Sequence, residues 1–180
     1  PPKAEAVDQT ARKALLKEVK QHWTALEHAD KSLKADREVV LKAVKQDGSA
    51  LEYADKSLKA DREVVLTAME NWGLALGYAA KSLRADREFM LKAVKQEGRT
   101  LQYADKSLKA DREIVLAAVK RNCAISARAP IQTWLLKHAP KSIKSDREIV
   151  LAAVKEDPGA LNESSEELQQ DEELRNIAGL

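Results

Sequence analysis

Apolar residues return along this chain in short bursts at helical spacing. Val40, Leu41, Ala43 and Val44 form one stripe, the period expected of an α-helix with one buried face. Asp36 stands just before that stripe, where its carboxylate can accept from free N–H groups of the first turn. Glu38 follows inside the first turn, where the helix dipole favours an anion. Gly48, with Gly73 and Gly98 in parallel places, is expected to close the helix as a positive-φ cap. A second helix is expected over "SALEYADKSL", with Leu51, Ala54 and Leu58 on one face and Tyr53 beside it. Neither helix is long enough to hold its shape alone in water, so each pair needs a neighbour.

The neighbours are copies. The triplet Asp-Arg-Glu begins at Asp36, Asp61, Asp86, Asp111 and Asp146, at spacings of 25, 25, 25 and 35 residues. Residues 11–35 align without a gap to 36–60, although Ala11-Arg12-Lys13 stands where the triplet should be. The pattern divides into an extension at 1–10, repeats at 11–35, 36–60, 61–85, 86–110, 111–145 and 146–170, and a partial repeat or cap at 171–180. The fifth repeat carries about ten extra residues. The expected fold is all-α: a right-handed-type α-solenoid of about six 25-residue, two-helix repeats, each burying its apolar face on the next.

The joint "DKSLKADRE" accounts for most of its own residues. Leu33, Leu58, Leu83, Leu108 and Ile143 pin the turn, while Asp and Glu start the next helix. Its arginine recurs as Arg37, Arg62, Arg87, Arg112 and Arg147, with Arg12 in the first repeat. Stacking would align them along one edge. A structural ladder is expected, with carboxylates such as Asp30, Asp55 and Asp105 as partners. The use of Arg without Lys points to a planar fork holding carboxylates. The competing reading is a solvated row, since exposed pairs contribute only about 0–1 kcal/mol each.

The unit "DREVVLKAVKQDGSALEYADKSLKA" resembles the tandem repeat of an uncharacterised family, a domain of unknown function with the motif DREVVLxAVKQxGxxLxYA. That family is common in protists, especially dinoflagellate algae. The likeness spans about 11–170, weakening in the first repeat and after Pro158-Gly159 in the sixth. It implies helical repeats and protein binding without an assigned reaction. Its distribution implies add-on subunits of larger assemblies, plastid ones among them.

Where the repeat breaks, individual use is expected. Trp23 replaces the turn glycine of the first repeat, Trp72 precedes that of the third, and Trp134 follows the insertion of the fifth. All three belong to the turn between the paired helices, so they are expected on one edge. Tryptophan is favoured at binding hot spots; the alternative is that each covers an exposed end or fills a gap. The insertion "NCAISARAPIQT" at 122–133 is the second break, read as a contact loop or as a neutral insertion. With Arg121, Arg128 and Ile131 it completes the candidate partner-binding set of Trp23, Trp72 and Trp134. Charge is the third break. The fifth repeat sets Arg112, Lys120, Arg121, Arg128, Lys137, Lys141 and Lys144 against Asp111 and Glu113, a net +5. Residues 156–180 set eight acids against Arg175, a net −7. Such patches serve either neighbour pairing or docking.

Composition narrows the function classes. Hydrophobic residues are 44% but aromatics only 4%, so the core is aliphatic. A net charge of +2 argues for no polyanion by itself. One cysteine, Cys123, forms no internal disulfide, so a secreted disulfide-rich protein is not expected. No apolar run approaches the ~20 residues that cross a bilayer, and membrane association is expected only through a partner. The chain opens on Pro1-Pro2 rather than Met and is expected to be processed or trimmed; plastid and cytoplasm both stay open as compartments. His22, His28 and His138 lack ligand spacing, and no phosphate-binding or nucleophile motif is present. The carboxylates recur with the repeat and read as caps. No catalytic, cofactor or metal residue is expected, and no enzymatic activity. The expected function is a non-catalytic scaffold mediating protein–protein interaction as a peripheral subunit of a larger assembly. A plastid photosynthetic accessory subunit is an alternative. An RNA-binding solenoid is a weaker one, because the repeats vary little and their charges cancel, and no nucleic acid is expected as partner.

Overall fold

The computed structural model describes residues 9–121 and 131–180, Ile131 by its backbone alone. Every regular element among these residues is helical. The chain forms two compact units, residues 1–84 and 85–180.

In the first unit, α1 (Gln9–Glu18), α2 (Arg37–Val44) and α3 (Arg62–Asn71) are the long helices of three successive repeats. Asp36 and Asp61 start α2 and α3, each accepting from two backbone N–H groups of the first turn. The apolar stripe behind each cap is buried: Val39, Val40, Ala43 and Val44 in α2, Val64, Val65, Ala68 and Met69 in α3.

In the second unit the same device builds α4 (Arg87–Gln96), α5 (Arg112–Lys120), α7 (Arg147–Glu156) and α8 (Glu172–Ala178), capped by Asp86, Asp111, Asp146 and Asp171. Phe89 and Met90 replace the paired valines of α4 and are fully buried. The fifth repeat differs. Its second half is an α-helix, α6 (Ile131–Lys137), which buries Leu135 and Leu136.

Elsewhere the expected second helix is not a continuous α-helix. "SALEYADKSL" divides into a 3-10 helix at Gly48–Tyr53 and a single turn at Leu58–Ala60, separated by extended Ala54 at φ −66°, ψ 152°. Each piece is too short to gain from α-helical cooperativity. Asp47 opens the first by accepting from Ser49 N at 2.8 Å, and Asp55 opens the second by accepting from Ser57 N at 2.9 Å. The break turns both Leu51 and Leu58 inward. The connector lysine then closes the 3-10 piece: Lys34, Lys59 and Lys109 donate to the carbonyls of Glu27, Glu52 and Gln102 at 2.6–2.7 Å. Burial pushes the Lys59 ammonium below the ordinary lysine range. Consecutive repeats are also tied through the backbone, with Asp55 N donating to Lys34 O, Ala80 N to Lys59 O and Ser165 N to Lys144 O.

The turn glycine acts differently from a positive-φ cap. Among the described residues only Gly179 has positive φ, at 76°. Gly48 is there because the next repeat comes too close for a side chain: a Cβ would lie 2.1 Å from the carbonyl oxygen of Ala68. At Gly98 the same Cβ would lie 2.5 Å from the oxygen of Ala118. The glycine sets how tightly α3 and α5 seat on the repeats before them.

Candidate interaction surface

From Arg37 onward the ladder arginines occupy the first position of their helices, while Arg12 lies within α1. Arg12 Nε donates to Asp36 Oδ2 at 2.6 Å and Nη2 to Glu38 at 2.7 Å. Arg37 reaches Asp61 at 3.1 Å and Glu63 at 2.5 Å. In the second unit Arg87 reaches Asp111 and Glu113 at 2.7 and 2.6 Å, and Arg112 reaches Asp146 and Glu148 at 2.6 and 2.5 Å. Arg147 holds Asp171 at 2.9 Å together with Glu173. Arg62 stands at the same register in α3.

The acceptors are therefore the helix-starting acids of the following repeat, rather than Asp30, Asp55 or Asp105. Asp55 and Asp105 are occupied by the N–H and hydroxyl of Ser57 and Ser107. Asp30 precedes a one-turn segment at Lys31–Lys34 and makes no side-chain cap bond there. Burial works against the ionised Asp36, but the Arg12 guanidinium and the N–H groups of Val39 and Glu38 outweigh it and hold its carboxyl below the usual range. For Asp111 the Arg87 guanidinium is the largest influence and lowers it likewise.

The tryptophans lie where the 3-10 helices begin. Trp23 opens the segment Trp23–His28 and stacks on Tyr53 of the next repeat, with ring centroids 6.4 Å apart. Trp72 precedes the segment Gly73–Tyr78 and leans on Tyr78 at 5.9 Å. Its own Cβ lies 3.0 Å from where a Cβ on Gly48 would stand. Trp72 thus packs at its base over the preceding repeat while 36% of it stays exposed. In the second unit, Trp134 sits on α6, 38% exposed, against the His138 ring at 4.8 Å. Beneath it lies a small cavity of about 20 Å³ formed by Leu101, Lys109, Val115, Leu135 and Ala139.

Arg121 is used within the repeat array: its Nε donates to the Gln96 carbonyl at 3.2 Å, at the end of α4. Asn71 does the same two repeats earlier in the chain, donating to the carbonyls of Val44 and Lys45. Arg128, with the rest of 122–130, lies outside the described residues. Ile131 begins α6.

One pair escaped the reading of the sequence. Asp157 is buried and accepts from both Thr133 N and Thr133 Oγ1, while its other oxygen accepts from Gly159 N. Thr133 stands 35 residues after Gly98, at the turn-glycine register, and that replacement was the available signal. A second concavity lies on the outer face of α5 and α7, lined by Lys120, Glu148, Leu151, Ala152, Lys155 and Glu156. Ala152 there stands at the register held by lysine at positions 42 and 92.

A family model for a domain of unknown function, DUF4116, matches the chain five times in overlapping windows, at residues 15–59, 36–84, 61–109, 86–130 and 111–169. The chain belongs to the DUF4116 family. The offset between windows is the repeat itself, so the family's unit covers about two of the 25-residue segments read from the sequence. No curated protein and no solved structure matches the chain. Among the described residues of this DUF4116 array, no group of three His, Cys, Asp or Glu side chains is placed to hold a metal ion. No helix among them is long and apolar enough to cross a membrane.

Proposed function

We propose that this DUF4116 protein is a non-catalytic repeat scaffold that binds a protein partner and serves as a peripheral subunit of a larger assembly. The observation that carries the reading is the exposure of Trp72 and Trp134. Among the described residues, the exposed large hydrophobic side chains are these two, Ile177 and Leu180. Both tryptophans are anchored at one side, by Tyr78 and by His138, which holds the indole ready without the ordering cost of a free side chain. Large, half-anchored aromatic surface is the kind that forms binding hot spots. Trp23 belongs to the same class of position but is half-buried, spending its face on Tyr53. The recurring carboxylates are engaged as caps and ladder acceptors, which leaves them in structural roles.

The test is partner capture with Trp72→Ala and Trp134→Ala, each first shown by circular dichroism and thermal melting to fold. Loss of a partner that the unaltered chain retains supports the reading. Unchanged recovery with both folded variants overturns it.

A further inference from the structure

Around Trp134, in the second unit, three departures from the repeat fall together. The first is the tryptophan itself, exposed on α6. The second is the small cavity beneath it, which two repeats build: Leu101 and Lys109 come from the fourth, Leu135, His138 and Ala139 from the fifth. Its volume of about 20 Å³ admits one group the size of a water or a methyl.

The third departure is charge. Along this edge the ordinary repeat is balanced: Glu27 and Asp30 offset Lys31 and Lys34, and Glu52 and Asp55 offset Lys56 and Lys59. In the fourth repeat Gln102 stands at the register of Glu52. In the fifth, Lys137 stands there and Pro140 takes the register of Asp55. Across 101–110 and 132–145, Lys106, Lys109, Lys137, Lys141 and Lys144 stand against Asp105 alone, a net +4. Asp105 is engaged by the N–H and hydroxyl of Ser107. Lys109 donates to the Gln102 carbonyl, whereas Lys106, Lys137 and Lys141 are exposed. No carboxylate among the described residues lies within ion-pair distance of those three ammonium groups. The sixth repeat reverses the sign, with Glu163, Glu166 and Glu167 at the registers of His138, Lys141 and Ser142.

We infer that this edge docks an acidic peptide segment of a partner protein. An aliphatic side chain of the segment enters the cavity beside the Trp134 indole, and carboxylates around it meet Lys106, Lys137 and Lys141. This role rests on the anchor proposed above for Trp134 and gives its partner a chemistry. Opposite charge at the rim steers encounter and fixes register, while the central indole supplies the hold. The acids of the sixth repeat repel such a segment and confine it to the fourth and fifth. They also interrupt the basic row, whereas single-stranded nucleic acid follows a continuous cationic groove with room to stack its bases. A cavity of methyl size takes a side-chain tip and no base.

The probes are three short fluorescein-labelled peptides with one central leucine, flanked by Glu, by Ser or by Lys, and a labelled oligouridine. Fluorescence anisotropy is read against the full chain at low and at physiological salt, since screening weakens rim charges. The Glu-flanked peptide is expected to bind at least about tenfold more tightly than the Ser-flanked one, and the Lys-flanked peptide least tightly. Trp134→Ala weakens the Glu-flanked peptide by at least about tenfold. The exposed pair Lys137→Glu and Lys141→Glu, shown by circular dichroism to fold, abolishes its advantage over the Ser-flanked peptide. Lys56→Glu, on the balanced edge of the first unit, leaves it unchanged. Equal binding of the three peptides that Trp134→Ala removes overturns the acidic partner and leaves Trp134 an anchor, so the two readings fail separately. Lysine reversals without effect overturn it in the same way, and so does the absence of binding by every peptide. Oligouridine bound more tightly than the Glu-flanked peptide through the same lysines overturns it in favour of nucleic acid.

Discussion

Asp36 does two jobs with one carboxylate: its Oδ2 receives Arg12 Nε at 2.6 Å, and its Oδ1 receives the N–H groups of Glu38 and Val39 at 3.0 and 3.1 Å. The group that starts a helix also ties that helix to the repeat before it. The same arrangement recurs at Asp111 and Asp146 in the second unit. Local helix formation and stacking are thereby coupled in one residue.

The coupling predicts unequal effects from its two partners. Asp36→Ala removes cap and ladder together and lowers unfolding free energy by roughly 1–2 kcal/mol, the usual cost of losing a cap. Arg12→Ala lowers it less, because the N–H groups keep their acceptor. The two changes combine to less than their sum, as expected for groups in contact. Arg12→Lys restores little, since one ammonium cannot span Asp36 and Glu38 as the guanidinium fork does. Urea unfolding of the four variants checks this, and a fully wild-type Arg12→Lys would contradict it.

Gly98→Ala is expected to be costly although the backbone there needs no positive φ. The added methyl would lie 2.5 Å from the Ala118 oxygen. Forcing the next repeat outward costs roughly 1–3 kcal/mol, the range for overpacking. Gly159→Ala is the control, because its nearest neighbour is the Asp157 Oδ1 at 3.3 Å. Thermal melting should rank Gly98→Ala well below Gly159→Ala.

Acid should loosen the joints. The carboxyls of Asp36, Asp61, Asp111 and Asp146 are all held below their ordinary range. A group whose folded pKa is depressed contributes stability above its unfolded value, about 3.9 for Asp, and loses it as pH falls through the folded value. The arginine partners are pushed upward and stay charged throughout. Stability is therefore expected to be level from about pH 5 to 8 and to fall below about pH 4. Unfolding midpoints measured across that range check it. A chain carrying Asp36→Asn and Asp146→Asn should fall less steeply.

The joint between the fifth and sixth repeats has its own anchor. Asp157→Ala leaves Thr133 N and Gly159 N without their acceptor. Partly buried donors left unpaired cost roughly 1–3 kcal/mol. Hydrogen exchange should show the loss as faster exchange in α6 and at Pro158–Glu163, with α4 unchanged. Thr133→Val, which keeps the backbone donor, should produce a smaller change in the same places.

Some of this was legible in the sequence and some was not. The Arg-Glu repetition announced a ladder, but its acceptors were misplaced. Asp55 and Asp36 look equally available on paper; only stacking brings helix starts side by side and leaves Asp55 to Ser57. The recurring glycine is plain in the sequence, yet its reason is spatial: the oxygen of Ala68 arrives from 20 residues away. "SALEYADKSL" carries a helical pattern, and chemistry at Asp47 and Asp55 divided it.

The sequence alone determined the repeat, its all-α class, the caps and the apolar stripe, because period and capping are local properties of a few neighbouring residues. Tertiary structure decided which carboxylate each arginine holds, how near one backbone comes to the next, and which tryptophans keep an open face. Those depend on distances between residues some 25 positions apart, and stacking sets such distances where the local pattern is silent.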